Sequence, residues 1–497
     1  MFEKLDDHDK LFLAAAAAIK EDDYEKAIAI LSSLVEKNPQ DVESLRLLAE
    51  CYGEVGDPIQ ALVALKAAQK LEPRNGKILA YLGSIYSRDL FLFELAIHAS
   101  KKALELGEVE EHIYYSLASS YFGLNNITEA VNISKEGLTV NMSWDRLRYI
   151  LGTFYLLLKD KEEAIKIAKH LEGQKSPFSS DLMKMIKEDD PEKDKIEELK
   201  SKQEAKEYLD KALKLMMKRE FKDAVKDLIS ALQSDDQLAP AYTDLGIILD
   251  DYGLIHEGLS LHKRAIELDP SLALAYNNLG YALQVKGKFP EAIDAYKKGL
   301  ELDPKMVQAH NNIGALYDYL GHYERGLSHF KEALKIDPNR ITTFRNLGWV
   351  YMALGRVDEA LSTYKKYAEL YPKEIVPKQA IARIYREMAL YGEGEKEYLL
   401  ALQIDPENMG CWLDLAECYI EMGRKEKLDE VVQRVLLLSP RSAANHFRMA
   451  KIMQKIDKEI SIEYWKRYLS IAEQYPLDPN EVAYANIQLI SLIGRTN

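Results

Sequence analysis

"ALAYNNLGYALQVKGKFPEAIDAYKKGLELDP" spans Ala273 to Pro304, and "VQAHNNIGALYDYLGHYERGLSHFKEALKIDP" spans Val307 to Pro338. The second stretch keeps the "NN" pair and the closing "DP" of the first and changes most of what lies between. The closing prolines recur at Pro270, Pro304, Pro338, Pro372, Pro406 and Pro440, each 34 residues after the last, and Pro39 and Pro73 are spaced in the same way. A fixed period of this length marks a repeat architecture.

Within each unit a second spacing holds. With Ala273 as position 1, Tyr276 stands at 4, Leu279 at 7, Gly280 at 8, Ala292 at 20, Tyr296 at 24 and Pro304 at 32. The unit from Ile341 repeats this with Phe344, Leu347, Gly348, Ala360, Tyr364 and Pro372, and adds Tyr351 at 11. Spacings of 3, 4 and 7 are helical. Gly287 and Gly355 suit a left-handed cap that ends the first helix, and the proline at 32 stops the second. Each unit is therefore a helical hairpin. Glycine at position 8, as at Gly246, Gly280, Gly314 and Gly348, costs ~1 kcal/mol relative to alanine in a helix. Its recurrence predicts close approach of the partner helix, where Gly258, Ala292, Gly326 and Ala360 hold position 20. Aromatic residues at 4, 11 and 24 fill the remaining space.

On these residues the chain resembles the tetratricopeptide repeat family, over nearly its whole length. The resemblance implies an all-α fold, an α-solenoid (superhelix) of helical hairpins. Units begin near His8, Val42, Gly76, Glu111 and Asp145; the phase then breaks and resumes from Ala205, with units from Ala239, Ala273, Val307, Ile341, Ile375, Met409 and Ala443. The expected organisation is thus two arrays joined by a helical insertion. An N-terminal array of about five repeats covers 8–176, an insertion or joint covers 177–202, and a C-terminal array of about eight repeats covers 203–475. Pro191 after Asp190 reads as a helix start, so the insertion is expected to end in a long helix that runs into the sixth unit. The tail, 476–497, carries one more amphipathic helix, the candidate cap; terminal repeats need a cap with a polar outer face.

A chain of 497 residues exceeds what one hydrophobic core supports, in keeping with an array. Hydrophobic residues make up 47% and charged residues 29%, a folding composition. The formal net charge of −14 argues against nucleic-acid binding and against a polybasic membrane-surface segment. No apolar run reaches the ~18 residues of a membrane span, so no membrane insertion is expected, and the N-terminal stretch does not read as a signal peptide. Three cysteines, Cys51, Cys411 and Cys418, without a Cys-x-x-Cys pair suit a reducing compartment. The expected location is cytoplasmic. The sequons at Asn126, Asn132 and Asn141 then have no role. Oligomeric state is not legible.

No P-loop, dinucleotide fingerprint, His-Glu-x-x-His or Gly-x-Ser-x-Gly is visible. His310, His322 and His329 are the closest histidines and read as core or surface residues. No catalytic residue, cofactor or metal site is expected, and the chain is not expected to be an enzyme.

The variable positions carry the functional signal. In the family the first helix of each hairpin lines a concave groove through positions 2, 5, 6, 9 and 12. Here position 6 holds Asp244, Asn278, Asn312 and Asn346, and position 5 holds Thr243, Asn277, Asn311 and Arg345. This run resembles the asparagine ladder of the nucleocytoplasmic N-acetylglucosaminyl transferase's repeat region, where such amides bind a peptide backbone. An amide both donates and accepts, so it can grip any extended chain. Asparagine is also the usual residue at position 6, so the ladder reads either as a binding device or as family habit. At ~0.5 to 1.5 kcal/mol each, three asparagines fall short of the ~8 kcal/mol of a micromolar complex. Tyr281, Tyr319, Arg345, Trp349, Arg383 and Arg386 are the expected anchors, being of the residue types binding hot spots favour. The residues that make a carboxylate clamp for chaperone tails are missing from these units. The expectation is a non-enzymatic scaffold that binds an extended polypeptide partner in this groove. The alternative is a targeting or regulatory subunit of an enzyme complex whose catalytic chain is separate.

Overall fold

Each Asp-Pro pair that punctuates the sequence closes its helix with a hydrogen bond of its own. Asp269, Asp303, Asp337 and Asp405 each accept, through Oδ1, the backbone N–H two residues on, at 2.9, 3.0, 3.0 and 3.1 Å. The backbone N–H groups of Asp269, Asp337 and Asp405 still reach the carbonyl four residues back. Proline then supplies no further donor, and the aspartate takes the next one in an Asx turn. The turn within the hairpin is set by handedness. Gly287, Gly321, Gly355 and Gly423 have φ between +65° and +75°, and Ala389 occupies the equivalent place at +59°.

The computed structural model describes residues 7–187, 191–438, 442–454 and 457–493; among them every regular element is a helix. The helices pair in order along the chain. The first hairpins are α1 (Asp7–Lys20) with α2 (Tyr24–Lys37), α3 (Val42–Glu54) with α4 (Pro58–Leu71), and α5 (Gly76–Arg88) with α6 (Phe93–Glu105). α7 (Glu111–Gly123) pairs with α8 (Ile127–Val140), and α9 (Asp145–Leu157) with α10 (Lys161–Gly173). α11 (Phe178–Lys187) packs on α10 and α9; α12 (Pro191–Met217) is a single 27-residue helix that pairs with α13 (Phe221–Ser234). There follow α14 (Ala239–Asp251) with α15 (Ile255–Leu268) and α16 (Ala273–Val285) with α17 (Phe289–Leu302).

α18 (Val307–Tyr319) pairs with α19 (Tyr323–Ile336), α20 (Ile341–Ala353) with α21 (Val357–Leu370), and α22 (Ile375–Glu387) with α23 (Tyr391–Ile404). α24 (Met409–Glu421) pairs with α25 (Lys425–Leu438) and α26 (Ala443–Met453) with α27 (Lys458–Ala472), and α28 (Pro479–Ile493) packs on α27. The outward side of α28 exposes Tyr484, Ile487 and Ile490. Glu481, Asn486 and Ser491 are exposed on the same helix, so its open surface sets large aliphatic residues among polar ones.

Hairpin packing follows from small residues. A Cβ built on Gly348 would lie 2.4 Å from Cζ of Tyr364, and one on Gly326 would lie 2.9 Å from the carbonyl oxygen of Gly314. Position 8 is therefore small because the ring at position 24 lies directly on it, and position 20 is small because it meets the backbone of the first helix. The polar tip at position 4 is also put to use. Trp412 Nε1 donates to Pro406 O at 2.9 Å and Tyr242 Oη to Asp236 O at 3.0 Å, each six residues back. The ring thus holds the loop that enters its own unit.

By contacts the chain forms two compact units, 1–302 and 303–497. The first holds more than sequential stacking. Glu257 of α15, almost fully buried, accepts from Tyr86 Oη of α5 at 2.7 Å, with Lys66 Nζ of α4 at 3.2 Å from the same oxygen. The Phe91 ring meets the face of Tyr242 edge-on at 6.4 Å. These contacts tie the second and third units to the seventh.

Candidate functional site

The expected site residues divide between the two compact units. In the first, Asn277 is fully buried and donates Nδ2 to Asn278 Oδ1 at 3.0 Å; Asn278 is also buried, and its own Nδ2 meets no acceptor among the described residues. Tyr281, one turn along α16, is 44% exposed. These two amides face helix packing, and only the phenol of the three is open.

In the second unit Asn311 and Asn312 lie on α18 and are half-buried. Asn311 Oδ1 accepts from Thr343 Oγ1 at 3.1 Å and from Asn346 Nδ2 at 3.4 Å. Position 5 of one hairpin is thereby tied to positions 3 and 6 of the next. Tyr319 at the end of α18 is 74% exposed. On α20, Arg345 is exposed and Trp349 is 60% exposed. Four residues apart, they share a helix face, and the guanidinium of Arg345 has no ion-pair partner among the described residues.

Arg383 and Arg386 of α22 converge on a group not singled out in the sequence. Asp414 of α24, 3% exposed, lies 3.4 Å from Arg383 and 3.1 Å from Arg386. Glu417 pairs with Arg386 as well, and Arg448 of α26 reaches both carboxylates. The signal was present: basic residues at positions 9 and 12, then acids at 6 and 9, then bases at 6 and 9 in three successive units. It falls beyond the segment where the asparagines drew attention.

His310 and His329 meet through their Nδ1 atoms at 3.1 Å, while His310 Nε2 donates to Pro304 O at 3.2 Å. His329 also stacks on Tyr317, so both imidazoles serve hairpin packing. The thiols of Cys51, Cys411 and Cys418 are free and buried, and burial pushes them up to about 11, 12 and 11. They are protonated at neutral pH and poor nucleophiles. Among the described residues no three His, Cys, Asp or Glu side chains group as metal ligands, and no helix is long and apolar enough to cross a membrane.

Family models described as tetratricopeptide repeat match residues 11–41, 273–306 and 305–373. The chain is a tetratricopeptide repeat protein. It is similar to DnaJ homolog subfamily C member 3 from Gallus gallus, 32% identical over 135 residues, 27% of this chain and 26% of that one. The Homo sapiens protein of the same name is 32% identical over 105 residues, 21% of each chain. The chain thus spans about a quarter of the length of the curated relatives it matches. Among solved structures, a tetratricopeptide repeat protein from Parabacteroides merdae is 19% identical with a TM-score of 0.39, covering 51% of this chain and 98% of its own. PilF of Pseudomonas aeruginosa is 22% identical with a TM-score of 0.38, covering 44% and 98%. The tetratricopeptide repeat fold supports a protein-interaction scaffold.

Proposed function

We propose that the chain is a non-enzymatic scaffold that binds an extended polypeptide on the face made by the first helices of its second compact unit, α18, α20 and α22. The observation that carries this reading is Trp349. An indole 60% exposed on a helix, one turn from the guanidinium of Arg345, which has no ion-pair partner among the described residues, is more open to solvent than a core aromatic. Tryptophan and arginine are the residues most enriched at binding hot spots. Tyr319 extends the aromatic surface from the preceding hairpin. The asparagines support this face more than they supply it, because Asn311 and Asn346 already hold each other.

The test is affinity capture of partners with the intact chain and with Trp349→Ala, Arg345→Ala and Lys331→Ala. Loss of tenfold or more in partner recovery with either of the first two, and none with Lys331→Ala on α19, is expected; truncating an anchor costs ~2 kcal/mol or more. Normal binding by Trp349→Ala and Arg345→Ala together would refute the proposed face.

A further inference from the structure

A cavity of about 660 Å³ opens in the second unit among α22, α24 and α26, a volume in the range of ligand pockets. Arg386, Arg448 and Lys451 line it together with Ile420 and Phe447. Its cations are placed in advance. Arg386 is bonded to Asp414 and Glu417 through Nη1 alone, and Arg448 through Nη2 alone. The remaining guanidinium nitrogens of both have no protein acceptor among the described residues. Lys451 Nζ sits 5.7 Å over the Phe447 ring and 5.8 Å over Tyr484, with no carboxylate partner among the described residues.

The charges do not cancel. Asp414 and Glu417 face three guanidiniums, counting Arg383; Lys451 adds a further positive charge, and Glu421 at the rim returns one negative charge. An excess of positive charge remains in a chain whose net charge is −14. Guanidinium nitrogens with their planes fixed by a buried carboxylate are preorganised donors for a second one.

We propose that this cavity receives an aspartate or glutamate side chain of the bound polypeptide, with a neighbouring apolar side chain of that polypeptide lying on Ile420 and Phe447. The assignment rests on the reading of the second unit as a polypeptide-binding face. It adds a chemical preference that Trp349 and Tyr319 cannot supply.

The experiment is an array of short peptides of randomised sequence, tethered by their C-termini so that no terminal carboxylate is free. It is probed with the full chain, with Lys451→Gln and with Arg448→Gln. Peptides bound by the unaltered chain should be enriched in Asp and Glu next to apolar residues. Their binding should fall about fivefold to tenfold in both variants, the loss of a charge-assisted contact. Binding without an acidic preference, or an acidic preference unchanged in Lys451→Gln, overturns the cavity assignment and leaves the polypeptide-binding reading standing. An array that binds nothing overturns both. Acidic preference seen only with soluble peptides bearing a free C-terminus assigns the cavity to a terminal carboxylate and also overturns it. Arg448 holds a buried acid, so its variant is checked by thermal melting; Lys451 is exposed and its variant keeps the test decisive.

Discussion

Asn346 Nδ2 lies 3.4 Å from Asn311 Oδ1, so two amides from successive hairpins are donor and acceptor to one another. The same oxygen takes the hydroxyl of Thr343, which is fully buried. Asn311 is therefore a junction between hairpins. Asn311→Ala should destabilise the second unit by about 1–2 kcal/mol, because a buried hydroxyl loses its acceptor. Asn346→Ala should cost less than about 1 kcal/mol, since only the longer bond is lost. Denaturant melts of both variants check the order; equal costs, or a larger one for Asn346→Ala, would contradict it.

Ala389 occupies with φ +59° the turn position that Gly355 holds at +69°. Left-handed backbone costs an L-residue about 1–2 kcal/mol, partly offset by the extra freedom glycine has when unfolded. Ala389→Gly should raise stability by about 0.5–1 kcal/mol. Gly355→Ala should lower it by about 1 kcal/mol from backbone strain alone, because an added Cβ there meets nothing within 4 Å. Thermal melts giving opposite signs for the two would confirm the account, and like signs would refute it.

Asp244 is buried at position 6, and burial alone pushes its carboxyl up to about 6. Unfolded, the group titrates near 3.9. Between these values the folded chain holds a proton the unfolded chain has released, so stability falls as pH rises through this window and stays low above it. Asp244→Asn, which puts there the residue found at Asn278 in the next unit, should stabilise the first unit by on the order of 2 kcal/mol at pH 8. It should give no gain near pH 3. Urea titrations at both pH values measure the difference, and a gain independent of pH would contradict the cause assigned.

The hairpins were legible because the period of 34 and the spacing of small residues record contacts made within one unit and between neighbours. Gly287 and Gly355 were read as left-handed caps from their place alone, and both have φ near +70°. The bond from Tyr86 to Glu257 was not legible, since it joins residues four units apart and leaves no periodic trace. The asparagines were legible as a row but not in their hydrogen bonding. Asn277 and Asn311 stand at the same position 5, yet the first pairs with its neighbour on the same helix and the second with the next hairpin. Asp414 was passed over because a single acid at position 6 means little until the arginines on both flanking helices are seen to reach it.

The most direct test of the scaffold reading is photocrosslinking from the proposed face itself. A benzophenone amino acid replaces Trp349 in one variant and Lys331, on the second helix of the preceding hairpin, in another, and both are irradiated in extract from cells that express the chain. The account predicts a discrete crosslinked polypeptide from position 349 and none from position 331. Crosslinking from 331 with none from 349 would contradict it.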